Sequence, residues 1–385
     1  MKLLIYVDNF ERLNFFEKIV SQLDEEIVFI TNKLSVYYNL NKQYKKYLIK
    51  KVNLSKAFET SLPDTLSTVA GYHTMNQAKD IYISFYSFLE ELYSTEKFEK
   101  VFIWNGSTTF GYTLNEFCKN NTIDTVFFEI SNLDGKIFAD KKGVNAKSFL
   151  YENPEILDSL VVDEVEYAQW LDKYKSDKKT TVRQAKNKSS IKITMLFDYI
   201  GYYFLNVLRE DFRNPLSVIK NKLQNRFEIS YENANLDNSY IFFPLQVSND
   251  SQVILNSDFD NLQTLKEIVK KYPNNLIYIK IHPAEPNKEF IREIFDFVKQ
   301  YKNIKIVGNN TKDLIINAEK VVVINSTVGL EALILEKEIE VYGRALYKSF
   351  NQDRLKAYIQ KYLINIDYFD DGEASKNEVK RILSV

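Results

Sequence analysis

The sequence has little of several features that define common protein classes. Cys118 is the only cysteine among 385 residues, which excludes an internal disulfide and any metal site built from several cysteines. Lysine and arginine number 51 against 52 aspartate and glutamate, so the chain has no bulk charge that attracts nucleic acid. We expect Cys118 to be a buried structural thiol in a protein of a reducing compartment.

Long apolar runs are also missing. The N-terminal run that ends at Asp8 is too short for a signal peptide or a transmembrane helix, and it predicts a first β-strand. The longest apolar segment, residues 193–208, is interrupted by Asp198. Its side chains recur at helical spacing, at Met195, Tyr199, Tyr203 and Val207. This pattern predicts a packed helix, no membrane span and a cytoplasmic location.

Strand-like runs alternate with helical stretches through most of the chain, which is typical of parallel-sheet α/β domains. The runs KLLIYV, KVFIWN and DTVFFE come first, and a more regular series follows from Ser239. Because domains commonly contain about 100–200 residues, the length favours two of them. The sequence predicts parallel-sheet α/β domains at residues 1–150 and 236–385, joined by a helical insertion or connector at residues 151–235.

A basic stretch lies inside the predicted connector. Residues 178–192 contain lysines and arginines and no acidic residue. Each such cation near an anionic bilayer contributes about 1 kcal/mol, so the stretch could hold the protein at the inner face of the cytoplasmic membrane. A solvated loop between domains explains the same composition, and both interpretations stay open.

Polar residues follow two of the predicted strands, at the end where ligands bind to open parallel sheets. Lys280 and His282 end the run LIYIKI, and Asn325, Ser326 and Thr327 stand between a strand and a helix. The N–H groups and the dipole of a helix N-terminus attract anions, and hydroxyl groups add further donors. These residues together favour a phosphate site over a histidine that is only structural.

Two residues beyond this junction extend the hypothesis. Gly329 would let the backbone approach a ligand closely, and Glu331, expected in the first helical turn, could cap amides or hold a ligand hydroxyl. Simple N-capping by Asn325 or Ser326 is the alternative. The second histidine, His73, has no comparable setting and is expected to be structural.

Carboxylates at strand ends are candidates for chemistry. Glu129 closes the run DTVFFE, and Asp250 follows YIFFPL. Two carboxylates can act as nucleophile and general acid/base in retaining glycosyl transfer, whereas a solvated acid and a turn former are the simpler interpretation. Asp258 and Asp260 have the spacing of a metal site in sugar transferases, but both suit the start of a helix. Neither the P-loop pattern nor G-x-G-x-x-G occurs.

Four segments in order resemble the bacterial capsule polysaccharide synthesis family that includes β-Kdo transferases. They are IWNG, FFEISNLDGKIFADKKGVNAKS, FFPLQVSNDSQVI, and KIHP followed by INSTVGLEALILEKEIEVYGRALY. The resemblance covers about residues 103–347. It implies two Rossmann-like domains that face each other across a cleft in a GT-B-like, modified architecture, and transfer of Kdo from CMP-β-Kdo with retention.

The resemblance also implies roles for individual residues. Asp250 matches the proposed nucleophile and Glu129 the general acid/base. Donor-binding positions match at Lys280, His282, Asn325, Ser326, Thr327, Glu331 and Gln246. Motif positions without an individual role match at Asn105, Gly106 and Asn145. No metal or other cofactor is expected, because protein donors can stabilise the single phosphate of a CMP leaving group.

The chain also departs from the family pattern. Ser131 and Asp134 stand where the family has glycine and proline, so the acceptor can differ, and Glu336 and Glu338 replace glycine and proline before the last strand. The expected partners are a nucleotide-sugar donor and a glycan or glycolipid acceptor. Transfer of another CMP-activated sugar, such as sialic acid, and a sugar- or lipid-phosphate-binding module without turnover remain the alternatives.

Overall fold

The structure is a computed structural model that describes residues 1–52, 62–176, 191–212 and 231–385. Residues 178–190 of the basic stretch 178–192 therefore lie outside the described residues. The chain divides into two compact units. Unit 1 comprises Met1–Phe149, Val182–Asn214 and Tyr362–Val385, and unit 2 comprises Leu150–Thr181 and Pro215–Lys361.

Unit 1 is built on a six-stranded sheet with the order β3-β2-β1-β4-β5-β6. Its strands are β1 Lys2–Tyr6, β2 Glu26–Thr31, β3 Lys45–Leu48, β4 Lys100–Trp104, β5 Asp124–Ile130 and β6 Ile137–Asp140. All neighbours are parallel except β5 and β6, which pair antiparallel with Phe127 opposite Asp140. The central strands are apolar without interruption, because helices cover both faces of such a sheet.

The helices of unit 1 that precede β6 connect these strands as the alternation predicts, and the others follow later in the chain. Together they are Phe10–Val20, Leu34–Asn39, Leu66–Val69, Met75–Glu96, Thr109–Asn120, Ile191–Phe204 and Lys376–Leu383, with Phe149–Glu152 beginning at the unit boundary. Cys118 lies in the helix Thr109–Asn120 and is buried, as expected. Burial raises the pKa of the Cys118 thiol to about 12, so the thiol stays protonated and unreactive.

The C-terminal segment belongs to unit 1, which differs from the predicted boundary at residues 236–385. Ile364, Ile366, Val379 and Ile382 join the same hydrophobic core as Leu3, Phe16 and Phe128 of the N-terminal sheet. Residue 137 also pairs with Ile364 as an isolated antiparallel bridge. Burial of these apolar side chains, worth about 1.5–3 kcal/mol each, fixes the segment to unit 1.

Unit 2 is built on a five-stranded parallel sheet with the order β11-β10-β7-β8-β9. The strands are β7 Tyr240–Pro244, β8 Leu276–Lys280, β9 Ile304–Ile306, β10 Lys320–Val323 and β11 Glu338–Val341. The helices are Glu164–Ser176, Ser251–Asn256, Asn261–Lys271, Lys288–Val298, Thr311–Asn317, Thr327–Ile334 and Gln352–Ala357. Because the strand order reverses at β7, ligands would bind beside β7 in a sheet of this kind.

The helix predicted from residues 193–208 is present as Ile191–Phe204, but the prediction that it is packed is only partly right. Val207 is buried beyond the helix end, whereas Tyr203 is 68% exposed. The helical period is therefore confirmed, but not every side chain that defines it packs against the protein. No helix within the described ranges is both long and apolar enough to cross a membrane.

Candidate functional site

The carboxyl edge of the unit 2 sheet brings together several of the predicted site residues. Gln246 follows β7, Lys280 ends β8 and Asn325 follows β10, and these three strands are neighbours in the sheet. Since parallel strands all end at the same edge, the chain order of the motifs becomes spatial proximity.

Gln246 connects this edge. Its buried side chain donates from Nε2 to Asp250 Oδ2 at 3.2 Å and to Asn325 Oδ1 at 3.0 Å, and its Oε1 accepts from the backbone N–H of Asn325 at 3.1 Å. Its backbone is held by Asn261, which accepts from the Gln246 N–H and donates to the Gln246 carbonyl, both at 2.9 Å. Gln246 therefore fixes the end of β7 against the end of β10.

Asn325 completes the network from the other side. Its Nδ2 donates to the carbonyl oxygens of Gln252 at 2.8 Å and Asn256 at 3.3 Å. With Oδ1 occupied by Gln246, both polar atoms of the side chain are used within unit 2. Asn325 thus links Gln246 to the helix Ser251–Asn256, and it does not cap the helix Thr327–Ile334.

Asp250 begins the helix Ser251–Asn256 as its N-cap, accepting from the N–H of Gln252 at 2.8 Å through Oδ1. Oδ2 accepts from Gln246, so both oxygens are oriented by the protein. The turn-forming alternative is correct as far as it goes. A carboxylate held in one orientation is also what a nucleophile needs.

Glu285 fastens the loop that carries Asp250. Its carboxylate accepts from the N–H of Ser248 at 2.6 Å and from the Ser248 hydroxyl at 2.8 Å. Asn287 N–H donates to the same group at 2.7 Å. Glu285 is not among the predicted site residues, although it follows the His-Pro pair by two residues, where an acidic side chain can cap backbone amides.

Lys280 is half-buried and its ammonium group points toward the loop after β9. It donates to the carbonyl of Asn309 at 2.6 Å and to Thr311 Oγ1 at 3.0 Å. Burial lowers the pKa of Lys280. Two neutral acceptors hold the cation in place and do not neutralise its charge, which leaves it available to an anion.

His282 has a defined tautomer. The N–H of Ala284 donates to its Nδ1 at 3.1 Å, so the ring proton stands on Nε2, which acts as a donor. Desolvation lowers the pKa of His282, an effect that Asp250 and Glu285 partly oppose and that Lys280 reinforces. The imidazole is therefore mostly neutral at pH 7 and offers one directed N–H.

The helix Thr327–Ile334 begins at this edge with Ser326 as its N-cap. Ser326 Oγ accepts from the N–H of Val328 at 3.2 Å, which confirms the simple capping alternative for Ser326. Thr327 is exposed at the helix start. An anion site at this N-terminus stays a prediction.

The expected role of Gly329 is wrong. A Cβ at this position would overlap the hydroxyl and the ring of Tyr347. The hydroxyl of Tyr347 also donates to the carbonyl of Ser326. Glycine is therefore needed because a protein side chain approaches the first helical turn, and no ligand has to be invoked. Tyr347 was missed although the compared segment ends with it.

Glu331 is also placed differently from the expectation, since it lies in the second turn of Thr327–Ile334 and not in the first. Desolvation raises the pKa of Glu331 to about 7, and the nearby Lys312 lowers it by less. Lys312 is itself buried and donates to the carbonyls of Tyr174 at 2.7 Å and Lys175 at 3.1 Å. Glu331 is thus a carboxyl group whose pKa lies near neutral pH.

The paired aspartates have structural roles. Asp260 is the N-cap of Asn261–Lys271 and forms a capping box with Gln263, as the helix-start interpretation predicts. Asp258 forms an exposed ion pair with Arg344 at 3.1 Å. Within the described parts of the chain, no three His, Cys, Asp or Glu side chains come together as a metal site. Metal independence stays a prediction.

The carboxyl edge of the unit 1 sheet holds Glu129, near the end of β5, and Asn105, which follows β4. Asn105 Nδ2 donates to Glu129 Oε2, and the N–H of Ile130 donates to Oε1 at 3.1 Å. Desolvation raises the pKa of Glu129, although Asn105, Ile130 and Arg12 each lower it. A raised pKa brings a carboxylate closer to the value that suits a general base at neutral pH.

The backbone at this junction is specialised. Asn105 has φ 60° and Gly106 has φ 76°, both in the left-handed region that asparagine and glycine tolerate best. A Cβ at Gly106 would lie 2.6 Å from the ring of Phe127. The motif NG is therefore required by the tight turn that aims the Asn105 amide at Glu129.

Asn145 lies away from that turn, at the start of the short 3-10 helix Asn145–Lys147 and with φ 53°. The loop that carries it is organised by Asp140, whose Oδ1 accepts from the N–H groups of Lys142 at 2.7 Å and Phe149 at 2.9 Å. Asp140 is fully buried and also accepts from the hydroxyl of Tyr362 at 2.8 Å. Asn145 is thus placed by a buried aspartate that the sequence analysis did not identify.

A second cluster of unit 1 contains His73 and Glu210. His73 Nδ1 bonds to the carbonyl of Glu210 at 2.7 Å and Nε2 bonds to Thr109 Oγ1 at 2.8 Å, so His73 is structural as expected. The pKa of Glu210 is raised to about 7, mainly by desolvation and also by Asp8, although the hydrogen bond from Ser67 lowers it. The hydroxyl of Ser67 donates to Glu210 at 2.8 Å. Glu210 was not predicted, because it follows no recognisable strand.

The family model described as capsule polysaccharide biosynthesis protein matches residues 135–351, which is more than half of the chain. The chain belongs to this family. The matched residues include the complete polar edge of unit 2, whereas Glu129 and Asn105 precede them.

Individual relatives match over shorter stretches. Protein FixF of Sinorhizobium fredii is 35% identical over 120 residues, 30% of this chain and 29% of FixF. The capsule polysaccharide export protein KpsS of Escherichia coli is 32% identical over 123 residues, 29% of this chain and 32% of KpsS. Each match thus spans less than a third of the relative's length.

The fold is similar to that of a solved structure over the whole chain. The Thermosulfurimonas dismutans KpsC β-Kdo 2,7 transferase matches with a TM-score of 0.50 and 15% identity, covering 100% of this chain and 99% of that one. The α/β fold with Rossmann-like parallel sheets is therefore confirmed, as is the resemblance to the capsule polysaccharide family.

Proposed function

We propose that this protein is a retaining glycosyltransferase that transfers Kdo from CMP-β-Kdo to a saccharide or glycolipid acceptor in capsule or lipopolysaccharide synthesis. The Gln246 network is the observation that carries the proposal. Gln246 connects Asp250 to Asn325 and orients the Asp250 carboxylate, which lies close enough to His282 to affect its pKa. Family membership and the fold likeness to a β-Kdo transferase support the choice of sugar.

In the first step, an oxygen of Asp250 attacks the anomeric carbon of the donor, and the bond from that carbon to the phosphate oxygen of CMP breaks. The leaving phosphate gains charge. The Nε2–H of His282, the hydroxyls of Ser326 and Thr327, and the cation of Lys280 are the donors we assign to it. One charge-assisted hydrogen bond of this kind contributes about 1.5–3 kcal/mol.

In the second step, an acceptor hydroxyl attacks the same carbon, the bond to Asp250 breaks, and the hydroxyl proton passes to Glu129. Two inversions give net retention. The raised pKa of Glu129 supports the role of base, and the Asn105 amide keeps one of its oxygens oriented. The base must be deprotonated, so transfer should decline as the pH falls through the pKa of Glu129.

The experiment is intact-protein mass spectrometry after incubation with CMP-β-Kdo alone, together with a measurement of CMP release in excess EDTA. The wild type should gain the mass of one Kdo residue and release CMP. Asp250→Asn should gain no mass and lose at least about a thousandfold in CMP release, because the nucleophile is gone.

Asp258→Asn is the matched control, since Asp258 is exposed and pairs only with Arg344 among the described residues. It should behave as the wild type. An adduct that survives in Asp250→Asn, or that maps to Glu129, contradicts the assignment of the nucleophile. Activity that EDTA removes and magnesium or manganese restores contradicts metal independence.

The same assay separates the alternatives. A protein that only binds sugar or lipid phosphate releases no CMP above the rate without protein. Release from CMP-sialic acid but not from CMP-β-Kdo would assign a different donor to the same network, because the donors that we assign would contact the leaving phosphate and not the sugar.

A further inference from the structure

The helix Ile191–Phe204 of unit 1 turns its apolar side outward. Leu196 is 63% exposed, Phe197 48%, Ile200 40%, Tyr203 68% and Phe204 81%. At about 100° per residue these five side chains fall within an arc of about 120°. We call them the outer face of the helix.

The opposite side of this helix is the one that contacts the protein, and it is largely polar or small. Asp198 accepts from the N–H of Ser35 at 2.9 Å, and the hydroxyl of Tyr202 accepts from Lys33 at 2.7 Å. A Cβ at Gly201 would lie 3.1 Å from Leu34. Hydrogen bonds and the close packing of Gly201 against Leu34 therefore attach the helix to unit 1, and its apolar side chains on the other side stay exposed.

Exposed apolar side chains are concentrated at and near the outer face. Seven of the sixteen exposed large apolar side chains among the described residues lie between positions 196 and 212, since Leu205 and Phe212 add to the five. Scattered single residues of this kind need no explanation, but a contiguous apolar patch indicates a binding surface.

Positive charge borders the outer face. Arg209 Nη1 donates to the hydroxyl of Tyr203 in the outer face at 3.4 Å, and its guanidinium lies 5.5 Å from the ring centre of Tyr199. A cavity of about 400 Å³ beside the helix is lined by Tyr203, Arg209 and Lys51, with Asp80 as its acidic residue. In the sequence, the residues from 178 to 192 that precede and begin the helix include six lysines and arginines and no acid.

We infer that the outer face docks on the surface of an anionic lipid bilayer. Helices that lie in a membrane interface bury aromatic and leucine side chains in the acyl boundary and place lysine and arginine beside lipid headgroups. Tyrosine and phenylalanine supply the apolar contact here, and Arg209 and Lys51 supply the charge. The inference does not depend on the proposed transferase activity.

The test is co-sedimentation of the full-length protein with vesicles of phosphatidylcholine that contain phosphatidylglycerol. The wild type should sediment with the vesicles, and added salt should weaken the binding. Leu196→Glu and Phe204→Glu should each weaken binding at least about tenfold, because each removes an interfacial apolar side chain and adds a charge that anionic lipid repels.

Val165→Glu is the matched control, because Val165 is 68% exposed in unit 2 and lies outside the outer face. It should bind as the wild type. Thermal unfolding and CMP release should be unchanged in all three variants, which separates this inference from the proposed activity.

Three results would overturn the inference. The wild type could remain in the supernatant with anionic vesicles, or Val165→Glu could weaken binding as much as Leu196→Glu does. Alternatively, the wild type could self-associate without lipid and Leu196→Glu could abolish that association, which would assign the outer face to a second copy of the chain.

Discussion

The carboxyl edges of the two sheets hold similar residue types but differ in how their polar atoms are bonded. In unit 2, the side-chain polar atoms of Gln246, Asn325 and Asp250 all have partners. In unit 1, Asp8 Oδ1, Asn32 Nδ2 and Asn105 Oδ1 are buried and have no partner among the described residues. No other buried side-chain nitrogen or oxygen in the described ranges is in this state.

The difference shows what each edge requires. A buried polar atom without a partner costs about 1–3 kcal/mol, so the unit 1 edge carries an unfavourable contribution that the unit 2 edge avoids. The unit 2 network is complete within the protein and should hold Asp250 in one orientation before any donor binds. The two edges should therefore respond differently to the same kind of substitution.

The largest contrast is expected from replacing a buried amide by leucine at each edge. Gln246→Leu removes three side-chain hydrogen bonds and leaves Asp250 and Asn325 with unpaired atoms, so it should lower the free energy of unfolding by about 2–4 kcal/mol. Asn32→Leu loses one bond from Tyr6 but also removes an unpaired N–H, so its cost should stay within about 1 kcal/mol.

Denaturant titration followed by intrinsic fluorescence measures both costs. Equal destabilisation by the two variants would show that the unpaired state of Asn32 Nδ2 has no energetic consequence. CMP release should fall in Gln246→Leu. Ile294→Ala is the control, because it removes a buried side chain of the helix Lys288–Val298 and should destabilise unit 2 by a similar amount without lowering CMP release.

A smaller effect is expected from Glu331, whose pKa is raised from 4.5 to about 7 by desolvation. A carboxyl whose pKa is higher in the folded state stabilises the fold below pH 4.5, and this contribution is lost as the pH rises through 7. Glu331→Gln should remove that decline and raise the stability of unit 2 at pH 8 by about 1–3 kcal/mol.

Unfolding free energies between pH 4 and pH 8 test this expectation. Glu293→Gln is the control, because Glu293 is exposed in the helix Lys288–Val298 of the same unit. A Glu331→Gln variant that keeps the wild-type pH dependence would assign the titration to another group.

The smallest effect concerns the unit 1 edge and the Asn105 amide. Asn105→Asp preserves a side chain that tolerates positive φ but places a second carboxylate beside Glu129. Like charge should raise the pKa of Glu129, so the acidic limb of the pH–rate profile should move up by about one unit. Asn41→Asp, exposed and outside the edge, should leave the profile unchanged.

Sequence reasoning located the fold and the unit 2 edge because both follow from local patterns. Uninterrupted apolar runs identify buried parallel strands, and the residues directly after them must share an edge, which is how Lys280 and Asn325 could be grouped. Gln246 was predicted only through the family resemblance. It did not find Glu285 or Asp140, whose importance comes from the backbone amides that the fold brings to them.

The type of a helix or strand was easier to predict than the side chains and the unit that it packs against. Gly329 was read as room for a ligand, but the space belongs to Tyr347 from a later segment. The helix Ile191–Phe204 has the period of a packed helix, yet periodicity does not say which side meets the protein. The assignment of residues 362–385 to unit 1 likewise depends on long-range burial that no local pattern encodes.

That last assignment has a consequence for how the protein is made. The side chains of Ile364, Val379 and Ile382 close the core of the N-terminal sheet, yet a ribosome adds them only after all of unit 2 has been synthesised. A sheet that emerges first must therefore wait with part of its apolar face uncovered, whereas unit 2 already has its own strands and core residues. Unit 1 can therefore complete its core only after unit 2 has been synthesised.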